Sequence, residues 1–391
     1  YKAAQKLGLD NVPVHVATDL GEDKIRAYRL ADNKTASLSD WDYDLLPIEL
    51  SALQTEGFDL GLIGFDEQEL AKLLNTEAKE GLTDPDDVPT PPDEPISRPG
   101  DLWLLGEHRV LCGDSGSVED LDRLLDGATI DLLLTDPPYN VKVEPRSNNA
   151  IAAGNSSFKQ THHQKLDLAR HPEKAKGTHK QMRAKDRPLE NDFVTDAEFE
   201  KLLLAWFANA SRVMKPGSPF YVWGGYANLG NYPRPLKEAG LYFSQGIVWD
   251  KQHPVLTRKD FMGAFEIAFY GWKEGAAHHF YGPNNVSDLW HVKKIPPQQT
   301  EHLTSKPAEL GVRSMQYSSV PGANVLDLFG GSGSTLIAAE QVGRRAYLME
   351  LDPAYTDLIA DRYQRFTGKP AVLERTGDSP LAMKPREEAM R

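Results

Sequence analysis

Cysteine is nearly missing from this chain. One residue, Cys112, in 391 excludes an intramolecular disulfide and fits a reducing compartment. Long apolar runs are missing too: none approaches the ~20 residues needed to span a bilayer. No secretory leader pattern opens the sequence. Membrane-spanning and disulfide-scaffold classes are thereby set aside, and a cytoplasmic protein is expected. Positive charge is in deficit: 44 Lys and Arg stand against 57 Asp and Glu, for a net charge of −13. A nucleic-acid binder with a basic surface overall is thus excluded. Screening confines exposed charges to roughly 8–10 Å, so any DNA-contacting face must be a local patch. Ligand-type spacing of His and Cys is absent, since His162 and His163 have no matched partner, and no metal site is expected. The chain opens at Tyr1 rather than Met, inside an apparent helix, which predicts a fragment of a longer protein.

What is present is ordinary globular chemistry, 40% hydrophobic and 26% charged. The length suits one large α/β domain and a smaller unit. The densest information lies in Thr135-Asp136-Pro137-Pro138-Tyr139-Asn140. It follows the apolar run Ile130–Leu134, which reads as a short buried strand. Two prolines end that strand and fix the backbone beyond it. The result is a rigid elbow offering a carboxylate, backbone carbonyls and an aromatic ring. Carboxylate and carbonyls accept hydrogen bonds from an exocyclic amine, and a ring stacks on a base.

A second concentration lies near the C-terminus. Asn324–Phe329 reads as a strand, Gly330-Gly331-Ser332-Gly333-Ser334-Thr335 as a tight glycine-rich turn, and Leu336–Glu340 as the start of a helix. Ala346–Met349 is a further strand ending in Glu350, about 20 residues after the glycines, the spacing that puts an acid on a ribose in a Rossmann-like unit. The turn lacks the G-x-G-x-x-G form of a nicotinamide site, and no P-loop lysine follows it.

Between these poles the chain changes character several times. Residues 76–100, with Asp84-Pro85-Asp86-Asp87 and Pro89–Pro95, predict an extended linker. Strands are expected at Asp101–Leu105 and Arg109–Asp114, with Asp114 at a strand's C-terminal end, where open α/β sheets bind ligands. Residues 141–190 form a basic insertion: between Lys142 and Arg187, eleven Lys or Arg face four acids. Its place after the elbow predicts contact with DNA phosphates. Asp196–Val213 has the spacing of an amphipathic helix. A strand at Pro219–Gly225, a helix over Leu229–Ala239 broken at Pro233 and Pro235, and strands at Tyr242–Asp250 and Phe265–Trp272 follow. Trp223 and Trp249 are expected in the core or a pocket wall. Residues 376–391 read as a loose charged tail.

Asp-Pro-Pro-Tyr after an apolar strand resembles the catalytic motif of the amino-group DNA methyltransferases, and Asp327-Leu-Phe-Gly-Gly-Ser-Gly their S-adenosylmethionine motif. The elbow preceding the glycine turn matches the β group of that family, over about residues 101–370. The resemblance implies a Rossmann-like doubly wound methyltransferase sheet over 101–375, with a target-recognition region at 251–303. It implies catalytic roles for Asp136, Pro137, Pro138 and Tyr139. It implies a donor site of Asp114, Thr304, Ser305, Lys306, Asp327, Phe329, Gly330, Gly331, Ser332, Gly333, Ser334, Thr335 and Glu350, with Thr304, Ser305 and Lys306 meeting the methionine carboxylate. The implied reaction is methylation of adenine N6 in a base flipped out of double-stranded DNA, since cytosine-N4 enzymes more often carry Ser in place of Asp136. Residues 1–75, with Ala31-Asp32-Asn33-Lys34, Ser39-Asp40-Trp41-Asp42 and Gly64-Phe65-Asp66-Glu67, resemble the C-terminal part of a ParB-like domain, a truncated α/β remnant. Kept open are an N4-cytosine enzyme, methylation of RNA or of protein glutamine, and a DNA-binding regulatory protein with a vestigial methyltransferase domain. Oligomeric state, a homodimer included, and a restriction partner also stay open. A nucleoid-associated protein of bacterial or phage origin is expected.

Overall fold

The computed structural model describes residues 78–92, 94–141, 194–255, 260–283, 285–293 and 306–375, with a few isolated positions besides. The chain divides into two compact units, Tyr1–Leu60 and Gly61–Arg391. Of residues 1–75 only 50, 53, 60 and 70 are described, so the expectations for that stretch lie outside the described residues. Nearly all of the basic insertion lies outside them as well.

The second unit is built on one eleven-stranded sheet. Among the described residues its strands and α-helices in chain order are β1 (Leu102–Leu105), β2 (His108–Cys112), α1 (Val118–Leu125), β3 (Leu132–Thr135), α2 (Asp196–Val213), β4 (Pro219–Gly224), α3 (Pro233–Glu238), β5 (Leu241–Val255), β6 (Gly263–Lys273) and β7 (Leu289–His291). Then come α4 (Ala308–Ser318), β8 (Asn324–Asp327), α5 (Ser334–Gln341), β9 (Arg345–Glu350), α6 (Pro353–Thr367), β10 (Val372–Glu374) and β11 (Leu381–Ala382). The spatial order is β11-β10-β1-β2-β9-β8-β3-β4-β6-β5-β7.

The five central strands, β2, β9, β8, β3 and β4, run parallel. Parallel strands are covered on both faces, which is why β3 and β4 are apolar at almost every position. Leu133 and Phe220 meet α1, α2 and α3 on one face, while Leu132, Leu134 and Tyr221 meet α4, α5 and α6 on the other. From β8 the chain passes through α5 to β9; from β3 it passes through α2 to β4, in the opposite direction across the sheet. The reversal lies between β8 and β3, and ligands bind outside the strand ends at such a point. The expected doubly wound sheet is therefore present. Among the described residues no helix is long and apolar enough to cross a membrane.

Several local expectations need correction. Pro233 does not interrupt a helix. A 3-10 turn covers Tyr226–Asn231, and Pro233 opens α3, where a missing N–H leaves no bond unmade. The region assigned to target recognition, 251–303, begins as sheet, because β5 runs to Val255 and β6 starts at Gly263. Residues 252–254 are exposed near the end of β5. Two residues of the expected tail pair with β10.

The largest correction concerns the stretch read as a linker. Its described residues are strapped to the domain: Lys79 N–H donates to the Gln341 carbonyl at 2.9 Å and Leu82 N–H to that of Phe366 at 2.8 Å. Val88 is buried against Tyr355 and Leu358 of α6. Asp357, fully buried on α6, accepts from the Ile96 amide (2.6 Å), the Ser97 amide (3.1 Å) and the Ser97 hydroxyl (2.5 Å). Proline-rich, acidic composition argues against a self-made core, but it does not prevent a segment from lining one made elsewhere. Asp357→Ala is expected to cost about 3 kcal/mol, as three bonds to one carboxylate are lost. Denaturant unfolding checks this, and an unchanged midpoint would show that these three bonds contribute nothing to stability.

Candidate active site

Four neighbouring strands of the parallel core, β2, β9, β8 and β3, each deliver an acid at the C-terminal edge: Asp114, Glu350, Asp327 and Asp136. Strand spacing makes this row roughly 15 Å wide, the reach of a nucleoside with its substituents. The expected site residues that are described therefore converge on one edge. Thr304 and Ser305 lie outside the described residues.

The elbow is held by amides. Asn140 takes a left-handed φ of 53°. Its side chain donates to the Val194 carbonyl at 3.0 Å and accepts from the Val194 amide at 2.7 Å. Asn228 donates to the carbonyls of Tyr139 (2.6 Å) and Asn140 (3.1 Å). The Tyr139 ring lies on Gly225, where an added Cβ would come within 2.9 Å of the ring. That glycine is required by close approach rather than by turn geometry.

Asp136 sits in a cluster of alternating charge. Its Oδ2 takes a short hydrogen bond from Lys306 Nζ, which also donates to Tyr139 Oη at 2.9 Å and lies 3.4 Å from Glu266 Oε2. Lys251 Nζ pairs with Glu266 Oε1 at 2.5 Å, and Tyr139 Oη donates to Glu266 Oε2 at 3.2 Å. The Lys306 ammonium is 5.3 Å from the Tyr139 ring centre and 5.4 Å from that of Trp223, favourable cation–π positions. Two anions and two cations balance in a largely buried pocket. The other Asp136 oxygen, Oδ1, is buried and accepts no hydrogen bond among the described residues.

The protonation directions follow from this arrangement. Burial raises Asp136 above the usual carboxylate range, while the Lys306 ammonium pulls it back. Burial alone would raise Glu266, but Lys306 and Lys251 together hold it down at about 2. Burial opposes charge on Lys306, but Asp136 and Glu266 outweigh it and raise its pKa, so it stays an ammonium.

The glycine-turn half contains two more buried carboxylates. Asp327 accepts from the Thr135 hydroxyl (3.0 Å), the Phe329 amide (3.0 Å) and the Thr335 hydroxyl (2.6 Å). Glu350 accepts from the Gly331 amide (2.7 Å) and the Asp352 amide (2.9 Å). Burial outweighs these bonds and pushes each carboxyl up to about 7. Gly331 and Gly333 have φ of 51° and 82°, the left-handed values that explain the glycines. Gly330 donates to the Met349 carbonyl at 2.7 Å, Phe329 packs edge-on against Trp206, and Ser334 donates to the Lys306 carbonyl at 2.8 Å. Asp114 is exposed, and its Oδ1 accepts from the Gly116 amide at 2.8 Å.

The Lys306 ammonium lies on the Asp136 carboxylate, a pairing the sequence did not indicate. Glu266 and Lys251 were not foreseen. A lone carboxylate inside the apolar strand Phe265–Trp272 was the available signal, because such residues are seldom buried unless paired. Lys306→Met should leave Asp136 facing Glu266 without its cation. The Asp136 carboxyl is then expected to titrate at higher pH than in the wild type. Carboxyl carbon NMR titration measures this, and an unshifted or lowered pKa would rule out the described pairing.

Comparison with known proteins agrees with this geometry. A family model described as DNA methylase matches residues 130–361, and one described as ParB-methyltransferase HTH domain matches residues 44–99. The second match runs past residue 75 and through the stretch expected to be a linker. The Type II methyltransferase M2.DpnII of Streptococcus pneumoniae is 26% identical over 174 residues, 41% of this chain and 65% of that protein. The Type II methyltransferase M2.MboI of Moraxella bovis is 22% identical over 253 residues, 61% of this chain and 82% of that protein. The chain thus covers slightly less than two thirds of the first of these relatives and more of the second. Among solved structures, an M1.HpyAVI–SAM complex aligns with a TM-score of 0.45 at 20% identity, over 65% of this chain and 97% of that one. The cytosine-N4-specific PvuII DNA methyltransferase aligns with a TM-score of 0.45 at 16% identity, over 70% and 89%. With the DNA methylase model spanning more than half of its length, across both the elbow and the glycine turn, the chain belongs to the N6/N4 DNA methylase family.

Proposed function

We propose that this protein methylates the exocyclic N6 of adenine in double-stranded DNA, at a specific sequence, with S-adenosylmethionine as donor. The observation that carries the reading is Asp136 Oδ1, a buried carboxylate oxygen with no donor among the described residues, at the end of β3 beside the sheet's reversal point. A buried acceptor without a partner costs free energy unless a ligand supplies the hydrogen bond. An amino group does so.

The residues fit the donor. Asp327 and Glu350 are carboxyls pushed up to about 7 by burial, and a cationic group or ribose hydroxyls nearby would favour their ionised forms. When bound, S-adenosylmethionine supplies an electrophilic methyl on a sulfonium. Asp327 would face its ammonium, Glu350 its ribose and Asp114 its adenine, with the amides of the Gly330–Ser334 turn approaching closely.

On the substrate side, a base inside a duplex is out of reach, so the target is flipped into the pocket. Tyr139 stacks on it, held by Asn228 and Gly225 behind the elbow. Asp136 and a carbonyl of Pro137 or Pro138 accept from the amino group and direct the nitrogen lone pair toward the methyl. With the donor bound, methyl transfer from its sulfonium to the amino nitrogen would release one proton, which the Asp136 carboxylate would take. The chain contributes mainly position and preorganised acceptors. The eleven basic residues between 142 and 187 support phosphate contact near the elbow. The match of residues 44–99 supports an accessory DNA-binding unit ahead of the catalytic domain. This reading places the protein in the cytoplasm, with the DNA it acts on.

Labelled methyl should pass from donor to duplex DNA and appear as N6-methyladenine, and Asp136→Ala should abolish transfer while keeping donor binding. N4-methylcytosine would overturn the base assignment. Transfer to no DNA of varied sequence would overturn the reading. Donor affinity should rise with pH through about 7, because Asp327 and Glu350 are neutral below that value and ionised above it. Below 7 it should fall by up to about tenfold per pH unit for each group. Calorimetric titration at pH 6 and pH 8 measures this, and equal affinities would show that neither carboxyl changes charge on donor binding in that interval.

A further inference from the structure

Helix α4 begins two residues after Lys306 and has no cap of its own, since Pro307 occupies the N-cap position and carries no side-chain acceptor. The first four amides of a helix need partners from outside it. One is supplied from the strap: Asp86 Oδ1 accepts the Ala308 amide at 2.8 Å, across 222 residues of sequence. A carboxylate there also favours the positive end of the helix dipole.

The neighbouring strap residue reaches the glycine turn through α6. Arg362 is buried on that helix, and its Nη2 donates to the Pro85 carbonyl at 2.6 Å. Its Nη1 donates to the Ser332 carbonyl at 2.7 Å, with the hydroxyls of Ser332 and Ser334 at 3.3 and 3.4 Å. Ser334 in turn donates to the Lys306 carbonyl at 2.8 Å. Pro85-Asp86, Arg362, the glycine turn and the Lys306–Ala308 segment therefore form one closed hydrogen-bonded ring. Asp86, Asp87 and Asp84 surround the guanidinium with negative charge, which counters the effect of its burial.

We infer that Asp86 and Arg362 are positioning residues for the methyl-donor site, and that this site is completed by the strap lying ahead of the catalytic domain. The inference rests on the proposed reading of the glycine turn as the donor site. Asp86 fixes where the α4 segment starts and so where the Lys306 backbone lies. Arg362 holds the two turn serines at a fixed height above α6. A planar guanidinium meets the Pro85 and Ser332 carbonyls at once, which a lysine ammonium cannot do in the same geometry. Neither residue is placed on the target base, so their removal should act on the donor and leave DNA binding alone.

The test uses the full chain with S-adenosylmethionine and the thioether product S-adenosylhomocysteine as probes. Asp86→Ala should raise the donor KM and the dissociation constants of both probes by about tenfold, the loss expected from one buried bond to a charged group. Its KM for DNA should stay within about twofold of wild type. Asp86→Asn keeps an oxygen for the Ala308 amide and should restore most of the affinity. Arg362→Lys should raise the donor KM as Asp86→Ala does. Asp86→Ala and Arg362→Lys binding donor like the wild type would overturn the inference, even if both melt at lower temperature. Loss of kcat with unchanged donor affinity would also overturn it. A wild-type protein that binds neither probe would instead overturn the reading of the donor site, and this inference with it.

Discussion

The Lys306 ammonium lies against the Asp136 carboxylate beside the rings of Tyr139 and Trp223, where its only other anion among the described residues is Glu266. In such a place a single charge is costly and a balanced set is not. Lys251 provides the fourth charge and brings the group to neutrality. Each member keeps its charge because the others are present, and each is delivered by a different element: the elbow after β3, β5, β6 and the approach to α4. Correct assembly of the sheet is therefore a condition for the pocket to hold its charges at all.

Among the described residues this balance leaves one Asp136 oxygen unmatched. The protein thus carries a small, localised excess of acceptors at the elbow and, on the neighbouring strand ends, two carboxyls raised by burial in Asp327 and Glu350. Both features are unfavourable for the chain alone and become favourable with ligands of the right sign. On the proposed reading, stability given up at the site would be recovered when amino and cationic groups arrive.

The strap changes how the domain should be pictured. A segment rich in proline and acid, ahead of the DNA methylase match, is fastened to α6 at Val88, Ser97 and Pro85 and supplies the missing cap of α4. Proline suits such a role, because a chain with fixed φ loses less entropy when laid along a surface. The acids suit it as well: they meet a buried arginine and a helix N-terminus, the two places nearby where negative charge is favoured.

Much of the fold and part of the site were legible in the sequence. The elbow, the glycine turn and the acid after it are local features, whose chemistry depends on residues within a few positions of one another. Strand and helix positions followed largely from hydrophobic period, and the order of the motifs carried the resemblance that implied the doubly wound sheet. Residues brought together across the chain were not legible. Glu266 and Lys251 meet only because β5 and β6 pair in a register that sets Trp249 opposite Glu266. Gly225 matters only once Tyr139 lies on it, and Asp86 only once α4 is beneath it. Lys306 was recognised as a site residue but its partner was not, since a long flexible side chain takes its position from the charges around it. The sequence by itself determined which segments fold into strands and helices and which local groups carry chemistry, because those depend on short-range periodicity and backbone restriction. Only the tertiary structure decided which charges neutralise which, and which acceptor is left over, because burial and pairing are properties of residues distant in sequence and adjacent in space.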